Sequence, residues 1–127
     1  MSAISPEPLR AICGAFLMVG FADARYDRDE EARFIATAAN DPALADFPST
    51  DLEATYNTLV REFSTDYAGA AAGVLGAIKT LRDKEPVKAA VIFAARLAIV
   101  ADKRILPQEE AALSSISQAL DLEPDVL

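Results

Sequence analysis

Two acidic stretches carry the side chains best suited to chemistry. Asp23 and Asp102 are each followed, seven residues later, by a glutamate: Glu30 in the first stretch and Glu109 in the second. The eleven residues that begin one position before each aspartate are identical at six positions. Carboxylate oxygens prefer hard cations such as Ca²⁺ or Mg²⁺ to Zn²⁺ or copper. The duplication therefore indicates a ligand site for a cation, and it does not indicate a reaction.

The two aspartates also have a purely structural interpretation. Asp23 and Asp102 lie where helices are expected to end, so each faces the negative end of a helix dipole. This placement costs a few tenths to about 1 kcal/mol unless a positive charge is near. Arg25 or Arg104, the amides that start the next helix, or a bound cation would each compensate for it. On the residues alone, bracing of the turn by side-chain-to-backbone bonds is favoured over metal binding, and both interpretations stay open.

The two glutamates fall in the first turn of the following helix, where a carboxylate is favourable. Asp27 and Glu30 have the spacing of a capping box, which by itself accounts for Glu30. Glu109 has Leu106 at the equivalent capping position, so the expected role of Glu109 is to complement the helix dipole.

An EF-hand does not fit the first acidic stretch. With Asp23 as the first loop position, Arg25 stands third and Arg28 stands where glycine is needed. Phe34 then occupies the position of the bidentate glutamate. A cation would have to be bound by a different arrangement of carboxylates.

Composition limits the function further. The net charge of −8 argues against a nucleic-acid partner and favours metal cations or a basic surface of another protein. Histidine is absent, and the single cysteine, Cys13, lies at helical spacing among apolar residues, which predicts a buried core thiol. The longest apolar stretch is too short to span a bilayer, and the N-terminus is unlike a signal peptide. We expect a cytoplasmic, non-membrane protein.

Helical periodicity extends over almost the whole chain, and no stretch alternates as a strand would. The pattern predicts an all-α fold of about six helices in a compact bundle. Helix five is apolar nearly all round, so it is expected to be central and buried. The predicted helices start near Pro6 or Pro8, at Asp27, at Thr50, at Ser64 or Thr65, at Asp83 to Pro86, and at Pro107; the first ends near Asp23 and the second at Asn40.

The acidic duplication also organises the fold. We expect one domain over residues 1–127, with repeat A at about 6–40 and repeat B at about 86–122. Helices one and two would correspond to helices five and six, as two helix–loop–helix units related by a pseudo-twofold axis.

The acidic junctions resemble the tellurite-resistance TerB family and its wider TerB-like group. Domains of this family carry a duplicated Ala-Asp-Gly-x-(Ile/Val)-x-x-x-Glu pattern on an all-helical scaffold. The resemblance spans nearly the whole chain, from helix one to Leu122. The matching residues are Ala22, Asp23, Tyr26 and Glu30 in the first copy and Ala101, Asp102, Ile105 and Glu109 in the second.

The resemblance implies a cytosolic protein linked to tellurite or other chemical stress, with a metal site at Asp23, Glu30, Asp102 and Glu109. One departure concerns the family's glycine after the aspartate, which is replaced by Ala24 in one copy and Lys103 in the other. Loss of glycine changes the turn geometry, and Lys103 places a positive charge beside Asp102 that could replace a cation.

We therefore expect a non-catalytic, TerB-like stress-response domain that binds Ca²⁺ or another hard divalent cation, or a protein partner, through its acidic junctions. The alternative is a purely structural interaction module without a metal site. A hydrolase that uses paired carboxylates is not favoured, because the sequence offers no plausible nucleophile or phosphate-binding loop. The identity of the partner and the oligomeric state are left open.

Overall fold

A computed structural model of the chain describes residues 7–22, 29–44, 47–102 and 107–121. At positions 29–31, 43, 49 and 99–102 it describes the backbone alone. The described residues form helices and no strand, which confirms the predicted all-α fold. The six α-helices are α1 (Glu7–Gly20), α2 (Asp29–Ala39), α3 (Ser49–Thr65), α4 (Tyr67–Leu81), α5 (Glu85–Asp102) and α6 (Pro107–Ala119), with a 3₁₀ turn at Pro42–Leu44.

The centre of the bundle is α1, and the prediction that helix five is central was wrong. Residues 11–19 of α1 are all buried, and α1 packs against α3, α4, α5 and α6. Helix α5 buries one side against α1 but leaves its opposite face exposed, with Phe93 at 52% exposure. An apolar composition alone does not make a helix central, because alanine-rich surface can remain in contact with water.

The start of α4 also differs from the prediction. Helix α3 continues through Thr65, so the predicted caps Ser64 and Thr65 are helical residues. Asp66 alone separates the two helices, and its Oδ1 accepts a hydrogen bond from the Gly69 amide at 3.1 Å. Asp66 is therefore the N-cap of α4.

One other predicted helix start needs correction, and two agree with the structure. Helix α3 begins at Ser49, after an extended Pro48 that makes no side-chain cap bond, rather than at a capping Thr50. Helix α5 begins at Glu85, within the predicted interval from Asp83 to Pro86, and the amide of Lys88 bonds the carbonyl of Lys84. The predicted start at Pro107 for α6 is confirmed.

Helix α1 ends earlier than predicted, at Gly20 rather than near Asp23. The amide of Ala22 bonds the carbonyl of Val19 at 3.2 Å, which is the tighter 3₁₀ spacing that commonly closes a helix. Helix α2 starts at Asp29, two residues after the predicted Asp27, and Asp27 lies outside the described residues.

Helix α4 runs antiparallel to α1 at close range. The hydroxyl of Tyr67, at the start of α4, donates to the carbonyl of Met18 near the end of α1 at 2.6 Å. Further along α4, Val74 lies so close to Gly14 that a β-carbon at position 14 would overlap the valine methyl groups. Glycine at position 14 thus allows the two helix backbones to approach each other.

Aromatic rings join the first three helices. Phe16 of α1 and Phe34 of α2 stack with ring centroids 4.4 Å apart, and Tyr56 of α3 lies 5.6 Å from Phe34. The ring of Phe34 is therefore part of the core, in agreement with the exclusion of an EF-hand at this place in the chain.

Candidate functional site

Three of the four predicted ligands have side chains outside the described residues. Asp23 lies in the undescribed segment after α1. Glu30 is the second residue of α2 and Asp102 is the last residue of α5, with only the backbone described at both positions. The placement of Asp102 at a helix end agrees with the prediction. The predicted proximity of the four carboxylates concerns side chains outside the described residues.

Glu109 is the predicted ligand whose surroundings the structure describes. It is the third residue of α6, in the first turn, as predicted. Its side chain is only 2% exposed, while the adjacent Glu110 is exposed. Glu109 also takes part in an interaction with another group of the protein. Glu109 therefore belongs to the interior of the domain. Complementing the helix dipole, the role expected from the sequence, does not require such burial.

The burial of Glu109 has a signal in the sequence that the prediction did not use. Glu109 precedes Ala112 by three residues and Ile116 by seven, and both of these are buried. This is the i, i+3, i+7 spacing of a single helix face. A glutamate on the inward stripe of an amphipathic helix is a candidate buried carboxylate, and such groups are costly unless they are paired or hydrogen-bonded.

The same helix carries a second buried polar group that the sequence analysis did not single out. Ser117 is buried, and among the described residues its Oγ has no hydrogen-bond partner. Helix α6 therefore presents two polar side chains to a largely apolar interior, although the described contacts do not place Ser117 beside Glu109.

Metal-binding groups do not cluster where the structure describes side chains. Among residues 7–22, 32–44, 47–98 and 107–121, no three acidic, cysteine or histidine side chains are close enough together to hold an ion. The thiol of Cys13 is buried, as predicted, and burial raises its pKa far above the ordinary value. A buried protonated thiol is neither a good ligand nor a nucleophile.

A surface groove of about 460 Å³ lies where α3 meets α4, and none of the four predicted ligands lines it. Its charged groups are largely engaged within the protein, since Asp66 caps α4 and Glu62 pairs with Arg10 at 3.2 Å. The groove is lined by Thr58, Arg61, Glu62, Thr65, Asp66, Gly69 and Ala70.

Comparison with known proteins places the chain in a family. The model of the family described as tellurite resistance protein TerB matches residues 9–127, which is nearly the whole chain and includes both acidic junctions. The chain belongs to the TerB family. No curated protein and no solved structure gives a significant match.

Membership in the TerB family makes the chain a tellurite-resistance-related domain. The described helices agree with the all-helical fold that the resemblance implied. None of these helices is both long enough and apolar enough to cross a membrane.

Proposed function

We propose that this TerB domain acts without catalysis, as a stress-response module that binds a hard divalent cation through its two acidic junctions. The supporting observation is Glu109, a carboxylate buried at the head of α6 within the second copy of the repeat. A surface charge kept only for solubility would be exposed, as Glu110 is.

The chemistry of the proposed ligands fits Ca²⁺ or Mg²⁺. Asp23, Glu30, Asp102 and Glu109 offer carboxylate oxygens only, the donors that these hard cations prefer. A cation would also compensate the aspartate at the carboxyl end of α5, where the helix dipole disfavours negative charge. Ca²⁺ tolerates more variable ligand geometry than Mg²⁺, so we propose Ca²⁺ as the first ion to test.

The calorimetric test uses two neighbouring glutamates as a matched pair. We expect wild-type protein in metal-free buffer to bind Ca²⁺, and Glu109→Gln to lose this binding because a neutral amide is a poorer calcium ligand. Glu110→Gln removes the same charge at an exposed position one residue away and should bind as wild type does.

A double variant tests the two aspartates. Asp23→Asn combined with Asp102→Asn should abolish calcium binding and the accompanying rise in melting temperature. Calcium binding that persists in this double variant would exclude the acidic junctions as the site.

The alternative function is a structural interaction module that binds a protein partner and no metal. The alternative is supported by the interaction that Glu109 makes within the chain. A buried carboxylate that is hydrogen-bonded by the protein itself would brace α6 without an ion. In that case Ca²⁺ leaves the melting temperature unchanged, while Asp23→Ala or Asp102→Ala destabilises the metal-free protein by about 1 kcal/mol.

A further inference from the structure

Helix α5 exposes an apolar face on the side opposite α1. Phe93 is 52% exposed and is, within the described residues, the one large apolar side chain that is classed as exposed. Ala89 is exposed one helical turn before it, and Leu97 is half-buried one turn after it. Pro86 extends the same exposed row toward the start of the helix. These spacings of three and four residues define a single helix side, here called the α5 face.

The charges on the α5 face are balanced, although the whole chain carries a net charge of −8. Glu85 is exposed at one end of the face and Arg96 is exposed at the other. Arg96 also takes part in an interaction within its own chain, but a guanidinium has five N–H donors and can serve more than one partner. A neutral apolar face of this kind does not repel a second copy of an acidic protein.

The residues of the α5 face are arranged symmetrically about its middle. Glu85 and Arg96 have their midpoint between residues 90 and 91, and Ala89 and Phe93 have theirs at residue 91. The outer apolar pair, Pro86 and Leu97, is centred between residues 91 and 92. At about 1.5 Å of rise per residue, these three midpoints lie within about 1.5 Å of one another along the helix axis.

We propose that the α5 face is a homodimer interface, in which α5 packs antiparallel against α5 of a second copy about a twofold axis near residue 91. This axis places Phe93 of each copy over the small Ala89 of the other, so that a large side chain meets a space. It also places Glu85 of each copy beside Arg96 of the other. A twofold interface requires such self-complementarity, and this match of size and charge is why a second copy is preferred to another partner.

The first experiment measures self-association by sedimentation equilibrium over a range of concentrations, in buffer with EDTA so that cation binding plays no part. We expect a reversible dimer in the wild-type protein. Phe93→Ser should raise the dimer dissociation constant about tenfold or more, because an aromatic anchor at the centre of an interface is lost. The Phe93→Ser variant should keep its fold, since the Phe93 side chain is already half exposed to solvent.

The second experiment exchanges the charges. Glu85→Arg alone and Arg96→Glu alone should each weaken the homodimer, because each variant brings two like charges together across the axis. An equimolar mixture of the two variants should form a heterodimer, since one copy then presents two arginines and the other two glutamates. Restored association in the mixture would not follow from a merely structural role of either residue.

Lys79→Glu is the matched control, because it makes the same charge change as Arg96→Glu at an exposed position on α4. It should leave the dissociation constant within about twofold of the wild-type value. If Arg96→Glu fails to fold, as shown by circular dichroism, the comparison of Phe93→Ser and Glu85→Arg with Lys79→Glu still decides the question. A wild-type monomer at concentrations up to about 1 mM, or a dimer that neither Phe93→Ser nor Glu85→Arg weakens, would overturn the proposal.

Discussion

Residues of the same type have opposite environments in this domain, and their roles differ accordingly. Glu109 is buried and Glu110 is exposed, although both lie in the first turn of α6. Gly14 is enclosed by α4, whereas Gly76 has open space around it. The residue type alone therefore predicts little about the effect of a substitution until the surroundings of the side chain are known.

The two glycines provide a prediction at the residue scale. Gly14→Ala should destabilise the fold by about 1 to 3 kcal/mol, because its β-carbon overlaps Val74 and α1 must move away from α4. Gly76→Ala should stabilise the fold by roughly 0.5 to 1 kcal/mol, because alanine is the better helix former and no atom obstructs it. Urea unfolding of both variants measures the difference. Equal effects of the two substitutions would contradict the close approach of α1 and α4.

At the scale of elements, the position of a helix in the bundle depends on its neighbours more than on its own apolar content. Helices α1 and α5 are both rich in apolar residues, but only α1 has helices on all sides. Helix α5 lies at the outside, and its second apolar face remains available to another molecule. The sequence pattern could not distinguish these outcomes, because burial inside the domain and burial against a partner select the same residue types.

The single-residue connection between α3 and α4 gives a prediction at this scale. Asp66→Ala removes the side chain that accepts from the Gly69 amide, so the first turn of α4 loses its cap. We expect a loss of about 1 kcal/mol in unfolding free energy, measured by chemical denaturation. Asp83→Ala is the control, because Asp83 is an exposed aspartate next to a helix start without a described cap bond. A comparable loss in the control would assign the effect to charge and not to capping.

At the scale of the whole molecule, contacts between distant segments hold the helices in register. Tyr67 is the clearest case, since its hydroxyl joins the start of α4 to the end of α1. Burial raises the pKa of Tyr67 from 10.0 to about 12, because the phenolate would lose its hydration. The folded state therefore favours the protonated side chain.

This pKa shift predicts how stability changes in alkaline solution. The contribution of Tyr67 is fully present below pH 10 and is lost as the pH rises through about 12, because the unfolded chain gives up the proton first. Tyr67→Phe should flatten the decrease in unfolding free energy between these pH values, and it should cost about 1 kcal/mol near neutral pH through the lost hydrogen bond. Urea unfolding at a series of pH values gives both quantities. A variant with the same alkaline slope as wild type would show that other groups cause the decrease.

The sequence by itself determined the all-α class, the approximate limits of the helices, the buried thiol of Cys13 and the TerB resemblance. These features depend on local periodicity, on helix-start signals and on short motifs, which are written into neighbouring residues. The candidate ligands Asp23, Glu30, Asp102 and Glu109 were also chosen from the sequence, and their joint role in binding a cation stays a prediction.

Only the tertiary structure decided which helix is central, that Glu109 is buried and that α5 keeps an apolar face exposed. Each of these depends on contacts between residues far apart in the chain, such as Val74 with Gly14 or Tyr67 with Met18. A periodic pattern shows that a helix has an inward side, but it does not show what lies against that side. The physical reason is that burial is a property of the assembled bundle, in which each helix competes with the others for the limited interior.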